Sequence, residues 1–141
     1  MTREMTTGGP EETEAAAAEL ARGFEGGEVV LLHGELGAGK TAFVRGLARG
    51  MGLDPGEVAS PTFVLLTTYP GRLALHHADL YRLATGGEAD LGLEELPGPD
   101  GVLAVEWAER LAFVPWERVV RVTLAHEGGD RRRVRIEDAA R

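Results

Sequence analysis

Apolar residues recur along the chain in patterns that predict strands alternating with helices. Residues 28–33 and 101–106 are short, continuous apolar runs, which are typical of buried strands. Residues 11–22 lie between Pro10 and Gly23, which are common limits of a helix. A second helix is predicted over residues 41–51. Its apolar face consists of Phe43, Val44, Leu47, Ala48 and Met51.

Two antiparallel hairpins complete the predicted sheet. The first pairs residues 63–69 with residues 72–79 across Pro70-Gly71. The second, near the C-terminus, pairs residues 119–124 with residues 132–136. The predicted fold class is therefore α/β: a single domain whose mixed parallel and antiparallel sheet is flanked by helices and ends in a C-terminal β-hairpin.

The remaining segments are predicted to be short helices or irregular chain. Residues 86–96 are predicted to form a short helix that ends before Pro97, and residues 107–113 a short helix or turn. Residues 1–10 have no apolar signal core, so we expect a flexible N-terminal tail before a domain at residues 11–141.

Composition excludes several classes of function. A chain of 141 residues is long enough for one domain with a real core. It has no cysteine, which excludes disulfides, thiolate zinc sites and cysteine nucleophiles. No apolar run approaches a membrane span, so we expect a cytoplasmic protein without membrane contact. The net charge of −8 disfavours DNA and other broad nucleic-acid binding, but leaves contact with RNA through a partner open.

One octet carries the strongest chemical signal. It reads Gly34-Glu35-Leu36-Gly37-Ala38-Gly39-Lys40-Thr41 and matches G-x-x-x-x-G-K-[ST] at every fixed position. Glycines let backbone N–H groups curl around a phosphate, and Lys40, the only lysine in the chain, can reach the β- and γ-phosphates. The Thr41 hydroxyl is suited to ligate Mg²⁺. With a strand before it and a helix after it, the octet predicts a nucleotide-binding phosphate loop, and hence a single α/β domain that is phosphate-loop (P-loop) NTPase-like.

Two acids end predicted strands and complete a candidate site. ATP hydrolysis also requires an acid that holds Mg²⁺ and a group that orients water. Glu106 follows the apolar run 102–105, and Asp79 follows residues 73–78. Strand alternation places His77 and Asp79 on one face, about 6–7 Å apart, where they can order a water. The alternative is that both acids are surface carboxylates. Taken alone, Trp107 is interpreted as a packing residue.

Two further patterns leave alternatives open. The tripeptide Ser60-Pro61-Thr62 lies where many phosphate-loop proteins have a segment that senses the γ-phosphate, although an ordinary turn explains it equally well. Residues 131–135 read Arg-Arg-Arg-Val-Arg and are predicted to alternate in direction on a strand, with Val134 and Ile136 on the other face. We interpret them as a solvated edge strand whose charges oppose aggregation, with an RNA or partner contact as the alternative.

From about Glu11 to Trp116 the chain resembles the TsaE (YjeE) family. The motifs that carry the resemblance are the octet, Ser60-Pro61-Thr62-Phe63, His77-Ala78-Asp79-Leu80-Tyr81-Arg82 and Val105-Glu106-Trp107. The family consists of small bacterial ATPases that act with the TsaD and TsaB proteins in the threonylcarbamoyladenosine modification of tRNA position 37. The resemblance implies ATP and ADP as ligands, Mg²⁺ as cofactor, weak ATPase activity that a partner raises, and contact with tRNA only through the complex. It does not imply that the protein transfers the threonylcarbamoyl group itself.

The resemblance also implies roles for individual residues. Thr41 and Glu106 would hold Mg²⁺, and Asp79 would be the second essential acid. The catalytic residues would be Lys40, Asp79 and Glu106. The switch-like segment would include Ser60, Pro61 and Thr62. Nucleotide contacts are implied for Leu36, Gly37, Ala38, Gly39, Lys40, Thr41, Trp107, Glu109, Glu11 and Thr13. The family usually has a second threonine after the octet, where this chain has Ala42, and an aspartate in place of Glu35.

Three other functions fit a phosphate loop. A small-molecule or nucleoside kinase usually needs an arginine-bearing lid, but residues 84–100 are acidic and contain no arginine. A GTP-binding switch typically selects guanine with an Asn-Lys-x-Asp motif, which cannot exist here because Lys40 is the only lysine. A module that binds nucleotide without hydrolysing it differs from the ATPase in that one property.

Overall fold

A computed structural model describes residues 2–35, 37–58, 66–81 and 91–138. Within these residues, the chain forms one seven-stranded sheet and two α-helices. The elements are β1 (Thr2–Thr7), α1 (Pro10–Ala21), β2 (Val29–His33), α2 (Lys40–Gly50), β3 (Leu66–Tyr69), β4 (Ala74–Asp79), β5 (Gly101–Glu106), β6 (Val119–His126) and β7 (Arg132–Asp138). In that part of the chain, no helix is both long and apolar enough to cross a bilayer.

The sheet has a parallel centre and antiparallel margins. Its order is β1-β7-β6-β2-β5-β4-β3. Strands β4, β5, β2 and β6 run parallel, whereas β3 pairs antiparallel with β4, and β7 pairs antiparallel with β6 and β1. The predicted α/β class with a mixed sheet and a C-terminal hairpin is therefore confirmed.

Both faces of the central strands are buried, which explains their continuous apolar runs. On one face, the helices cover alternate residues of β2 such as Val30 and Leu32, and the predicted apolar face of α2 is buried there. On the other face, Val29 and Leu31 pack beneath the chain around residues 91–96 and 107–116. The carboxyl ends of the parallel strands consequently meet the N-terminus of α2 at one edge of the sheet.

Close packing of α1 on α2 fixes the position of α1 beside that edge. A Cβ on Gly46 would lie 2.3 Å from the carbonyl oxygen of Glu14, and one on Gly50 would lie 2.2 Å from that of Ala18. Only glycine permits this approach of two helix backbones. The first turn of α1 therefore lies next to the phosphate loop.

The N-terminal segment differs from its prediction. Residues 1–10 were expected to be a loose tail, and this is wrong for Thr2–Thr7, which forms β1 and pairs with β7. Met5 packs against the core, and the hydroxyl of Thr7 lies 2.8 Å from that of Thr13. Pairing with β7 orders this segment. The sequence did not predict the strand, because β7 lies far along the chain and pairing with it leaves no apolar pattern in the segment itself.

That pairing also corrects the interpretation of the arginine-rich strand. Strand β7 was expected to be an edge strand, but β1 covers its open side. The predicted alternation is confirmed: Val134 and Ile136 are buried, and Arg133 and Arg135 are exposed.

Two predicted short helices are single 3-10 turns where the structure describes them. Within residues 86–96, residues 91–96 are described and contain a turn at Leu93–Glu95. Within residues 107–113, the turn is Ala108–Arg110.

Candidate active site

The phosphate loop connects β2 to α2 at the carboxyl edge of the sheet. Its first glycine, Gly34, passes so close to β6 that a Cβ would lie 2.6 Å from the carbonyl oxygen of Leu124. Gly39 precedes α2 with a φ of 104°, a conformation that favours glycine. The N-terminus of α2, with its backbone N–H groups, therefore opens toward the loop, which is the usual arrangement for binding phosphate.

Lys40 is held inside the loop by backbone carbonyls and an aromatic ring. Its ammonium donates to the carbonyl oxygens of Gly34 and Glu35, the latter at 2.9 Å. It also lies 4.0 Å from the centroid of the Trp107 ring, within the range of a cation–π contact. Burial lowers the pKa of the Lys40 ammonium, and nearby carboxylates, Glu106 foremost, oppose this shift of the pKa.

Glu106 links the loop to the parallel strands. The Thr41 hydroxyl donates to its carboxylate, with Oγ1 3.2 Å from Oε1 and 3.1 Å from Oε2. Nε2 of His77 lies 2.6 Å from Oε2 of the same carboxylate. Both His77 and Glu106 are buried, so the three side chains form a continuous polar chain at the mouth of the loop.

Asp79 ends β4 directly beside Glu106, its register partner on β5. Its carboxylate is buried, and Oδ1 accepts a hydrogen bond from the backbone N–H of Tyr81 at 3.0 Å. The two strand-end acids predicted from the sequence thus lie together rather than as isolated surface carboxylates. His77, which was predicted on the same face of β4 as Asp79, forms a hydrogen bond with Glu106.

Trp107 closes the side of the loop. It adopts the left-handed conformation with φ 59°, which is uncommon for a bulky residue. This turn at the end of β5 brings its ring over Lys40, while the Tyr81 ring lies 5.0 Å away at an interplanar angle of 43°. The sequence interpretation of Trp107 as mere packing is thereby revised, because the ring contacts the loop's lysine.

A small cavity adjoins the loop on its other side. It has a volume of about 120 Å³. Its lining residues are Gly9, Pro10, Thr13, Gly37, Gly39, Ala42, Asp130 and Arg132. Thr13, for which a nucleotide contact was predicted, thus lines this cavity. Glu11 is exposed in the first turn of α1. The residues of α1 that line the cavity are Pro10 and Thr13.

Glu109 lies at the periphery of the site. Its Oε1 is 3.9 Å from Nδ1 of His33, the last residue of β2. Burial lowers the pKa of His33, and the Glu109 carboxylate partly offsets this lowering of the pKa. Leu36 and the predicted switch-like segment Ser60, Pro61 and Thr62 lie outside the described residues.

Comparison with known proteins identifies the family. The family profile described as "Threonylcarbamoyl adenosine biosynthesis protein TsaE" matches residues 7–134. The chain belongs to the TsaE family.

Individual relatives support this assignment over nearly the full length. The TsaE protein of Treponema pallidum is 47% identical over 106 residues, which cover 74% of this chain and 78% of the relative. That of Aquifex aeolicus is 38% identical over 136 residues, or 95% of each chain. The crystal structure of YdiB from Bacillus subtilis aligns with a TM-score of 0.76 and 33% identity, covering 98% of this chain and 86% of that one. As a TsaE-family member, the protein has a role in the biosynthesis of threonylcarbamoyladenosine in tRNA.

Two polar contacts of this TsaE-family site escaped sequence reasoning. Arg132, at the start of β7, donates from Nη2 to the carbonyl oxygen of Gly37 at 3.1 Å and so ties the C-terminal hairpin to the loop. The second is the hydrogen bond between His77 and Glu106. Both join residues whose neighbourhood is set by strand order, which no local spacing reveals.

Proposed function

We propose that the protein is a Mg²⁺-dependent ATPase that supports turnover of a TsaD–TsaB complex during threonylcarbamoyladenosine modification of tRNA, in the cytoplasm. The observation that carries this proposal is the contact of the Thr41 hydroxyl with the Glu106 carboxylate, 3.1–3.2 Å apart, beside the Lys40 ammonium. A hydroxyl, a carboxylate and a lysine at a helix N-terminus are the groups that phosphate-loop ATPases use.

The residues at the mouth of the loop fit Mg²⁺. This ion keeps several waters and usually takes one or two protein oxygens together with nucleotide phosphates. Thr41 and Glu106 supply such a pair of oxygens. Across the described residues, no group of three or more His, Asp or Glu side chains could hold a metal alone, so a site completed by nucleotide agrees with the donor set. When bound, Mg²⁺ would neutralise charge on the phosphate oxygens.

The chain's own groups then have distinct proposed roles. Backbone N–H groups of residues 37–41 bind the phosphates, and Lys40 exchanges its carbonyl acceptors for phosphate oxygens. Asp79, next to Glu106 in the sheet, is proposed to orient the attacking water. The cavity of about 120 Å³ beside Thr13 is proposed to receive the base. Leu36 and the segment of Ser60, Pro61 and Thr62 keep the roles that the resemblance implies.

The proposed partners are TsaD and TsaB, and tRNA is reached only through them. Support comes from membership of the TsaE family. The alternative is a small-molecule or nucleoside kinase, which would transfer the γ-phosphate to an added acceptor rather than to water.

The experiment is steady-state ATP hydrolysis by the purified protein, alone and with TsaB and TsaD. We expect slow hydrolysis alone and a clear increase with the pair. Glu106→Gln should reduce hydrolysis by about 100-fold while leaving Mg²⁺-free ADP binding within about threefold. Glu19→Gln, which removes the same charge from the exposed side of α1, is the control and should hydrolyse ATP normally.

Two outcomes would contradict this function. Absence of hydrolysis in every mixture would favour a module that only binds nucleotide. Undiminished hydrolysis by Glu106→Gln would remove Glu106 from the reaction. Lys40→Ala tests the loop itself and should abolish ADP binding in a protein that remains folded by circular dichroism.

A further inference from the structure

His77 is a fully buried histidine whose ring meets the candidate metal ligand. It lies inside β4 with 0% exposure, and its Nε2 is 2.6 Å from Oε2 of Glu106. A buried imidazole in an otherwise apolar strand requires a reason, since polar groups are buried at a cost unless they are hydrogen-bonded. The Glu106 carboxylate supplies that hydrogen bond.

The sheet register makes this contact possible. In the parallel pairing of β4 and β5, His77 lies opposite Ala104, and Asp79 lies opposite Glu106. Ala104 carries only a methyl group, so the imidazole has room to extend along the sheet toward the next residue on the same face of β5. That residue is Glu106.

The hydrogen-bond partners define which nitrogen carries the proton. An ionised carboxylate only accepts, so Nε2 of His77 is the donor. In the described part of the chain, Nδ1 of His77 is the fully buried side-chain atom without a hydrogen-bond partner. An unfilled acceptor is tolerated better than an unfilled donor, which agrees with the tautomer that carries its proton on Nε2.

Two donors thereby fix the plane of the carboxylate. His77 donates to Oε2, and Thr41 donates to both oxygens at 3.1–3.2 Å. Without the short bond from His77, the carboxylate could rotate about its terminal torsion, which has only broad energy wells. Residues that hold a metal ligand in this way typically change metal affinity 10- to 100-fold when they are replaced.

We propose that His77 is a positioning residue for Mg²⁺: its Nε2–H holds Oε2 of Glu106, so that the carboxylate keeps a fixed orientation beside the Thr41 hydroxyl. This inference rests on the proposed function, in which Thr41 and Glu106 hold the ion. It assigns His77 no contact with nucleotide and no proton transfer.

Replacing His77 by glutamine and by asparagine distinguishes a role as a positioned hydrogen-bond donor from a role in packing. The Nε2 of glutamine lies as many bonds from the backbone as the Nε2 of histidine, whereas the asparagine amide ends one bond earlier. His77→Gln therefore keeps a donor within reach of Glu106, and His77→Asn is its matched control. His77→Leu, which keeps the apolar volume, replaces His77→Asn if that variant does not fold.

The measurement is ADP affinity by calorimetry in Mg²⁺ and in EDTA. For the wild type we expect Mg²⁺ to tighten ADP binding. His77→Gln should retain this effect within about threefold, whereas His77→Asn should lose about tenfold or more of it. Affinity in EDTA should change less than about threefold in both variants, because Mg²⁺-free binding does not use the carboxylate. Adding Mg²⁺ and ADP should raise the melting temperature of His77→Asn by less than it raises that of the wild type.

Two results would overturn the inference. One is a wild-type Mg²⁺ effect in His77→Asn, or in His77→Leu where that variant replaces it, which would make His77 a packing residue. The other is an equal loss in His77→Gln and His77→Asn, which would exclude the positioned donor. A Glu106→Gln variant that keeps the full Mg²⁺ effect would instead refute the metal role of Glu106 in the proposed function, and this inference with it.

Discussion

The ammonium of Lys40 lies 4.0 Å from the centroid of the Trp107 ring and donates at the same time to carbonyl oxygens of its own loop. The ammonium is therefore held by neutral groups of the protein, and a phosphate must compete with them for it. A nucleotide that draws the ammonium away must change the environment of the indole.

The first prediction concerns tryptophan fluorescence. The chain has two tryptophans, and Trp116 lies apart from the loop, where its Nε1 donates to the carbonyl oxygen of Leu96 at 2.8 Å. ADP should change the emission of the wild type, and Trp116→Phe should retain most of that change because Lys40 contacts the other ring. Trp107→Phe should lose it. A signal that disappears with Trp116→Phe and survives in Trp107→Phe would contradict the assignment.

The second prediction concerns Arg132. Its guanidinium is fixed by carbonyl oxygens of Gly129 and Arg131 at 2.9 Å and bonds to Gly37 in the loop at 3.1 Å. Arg132→Ala should weaken ADP binding about fivefold, the effect of one lost hydrogen bond of about 1 kcal/mol. Arg133→Ala removes the same charge from an exposed pair with Glu127 and is the control.

Calorimetric titration of both variants distinguishes a local contact from general attraction. If Arg132→Ala and Arg133→Ala weaken ADP binding equally, the net charge of the hairpin explains the effect. A specific loss in Arg132→Ala assigns it to the bond with Gly37.

Features that depend on residues close together in the sequence were predictable. The conformation of the octet around Lys40 was predictable, because the strand before it and the helix after it are visible as apolar patterns in the sequence. Asp79 and Glu106 were predictable as candidate site residues because each directly follows an apolar run that predicts a strand. The apolar face of α2 followed from helical spacing alone.

Contacts set by strand order were not predictable. Thr2–Thr7 becomes a strand only because β7 offers an open side, and Arg132 reaches Gly37 only because the hairpin turn lies above the loop. His77 bonds to Glu106, since the register places small Ala104 opposite His77. Each contact depends on which strands are neighbours, information that local patterns do not contain.

The third prediction concerns the crossing of α1 and α2. Gly46→Ala would place a Cβ 2.3 Å from the carbonyl oxygen of Glu14, so the helices must separate. We expect a loss of about 1–3 kcal/mol in the free energy of unfolding, even though alanine favours a helix by about 1 kcal/mol over glycine. Urea denaturation measures this change.

A matched variant controls for the general effect of adding a methyl group. At Gly23 a Cβ would lie 3.7 Å from the carbonyl oxygen of Leu20, an ordinary contact, so Gly23→Ala should change the free energy of unfolding by less than about 0.5 kcal/mol. A Gly46→Ala variant as stable as Gly23→Ala would show that the crossing tolerates separation.

The last prediction concerns the pH dependence of stability through His33. Burial lowers the pKa of His33 in the folded state below the value of about 6.5 in the unfolded chain. The unfolded state therefore binds more protons as the pH falls through about 6.5 toward the folded pKa, and the free energy of unfolding decreases over that window. At higher pH the ring is neutral in both states, and His33 contributes no such slope.

Glu109 affects how far the pKa of His33 in the folded state lies below its value in the unfolded chain. Its carboxylate, 3.9 Å from the ring, raises the pKa of His33 and partly opposes the effect of burial. Glu109→Gln should lower the pKa of His33 further, so acidification should destabilise the variant more than the wild type. NMR titration of the His33 ring and urea denaturation between about pH 5 and 8 test both statements. Glu57→Gln removes a charge from the turn after α2 and should leave the pKa of His33 unchanged. A pKa that rises in Glu109→Gln would mean that this carboxylate does not stabilise the charged ring.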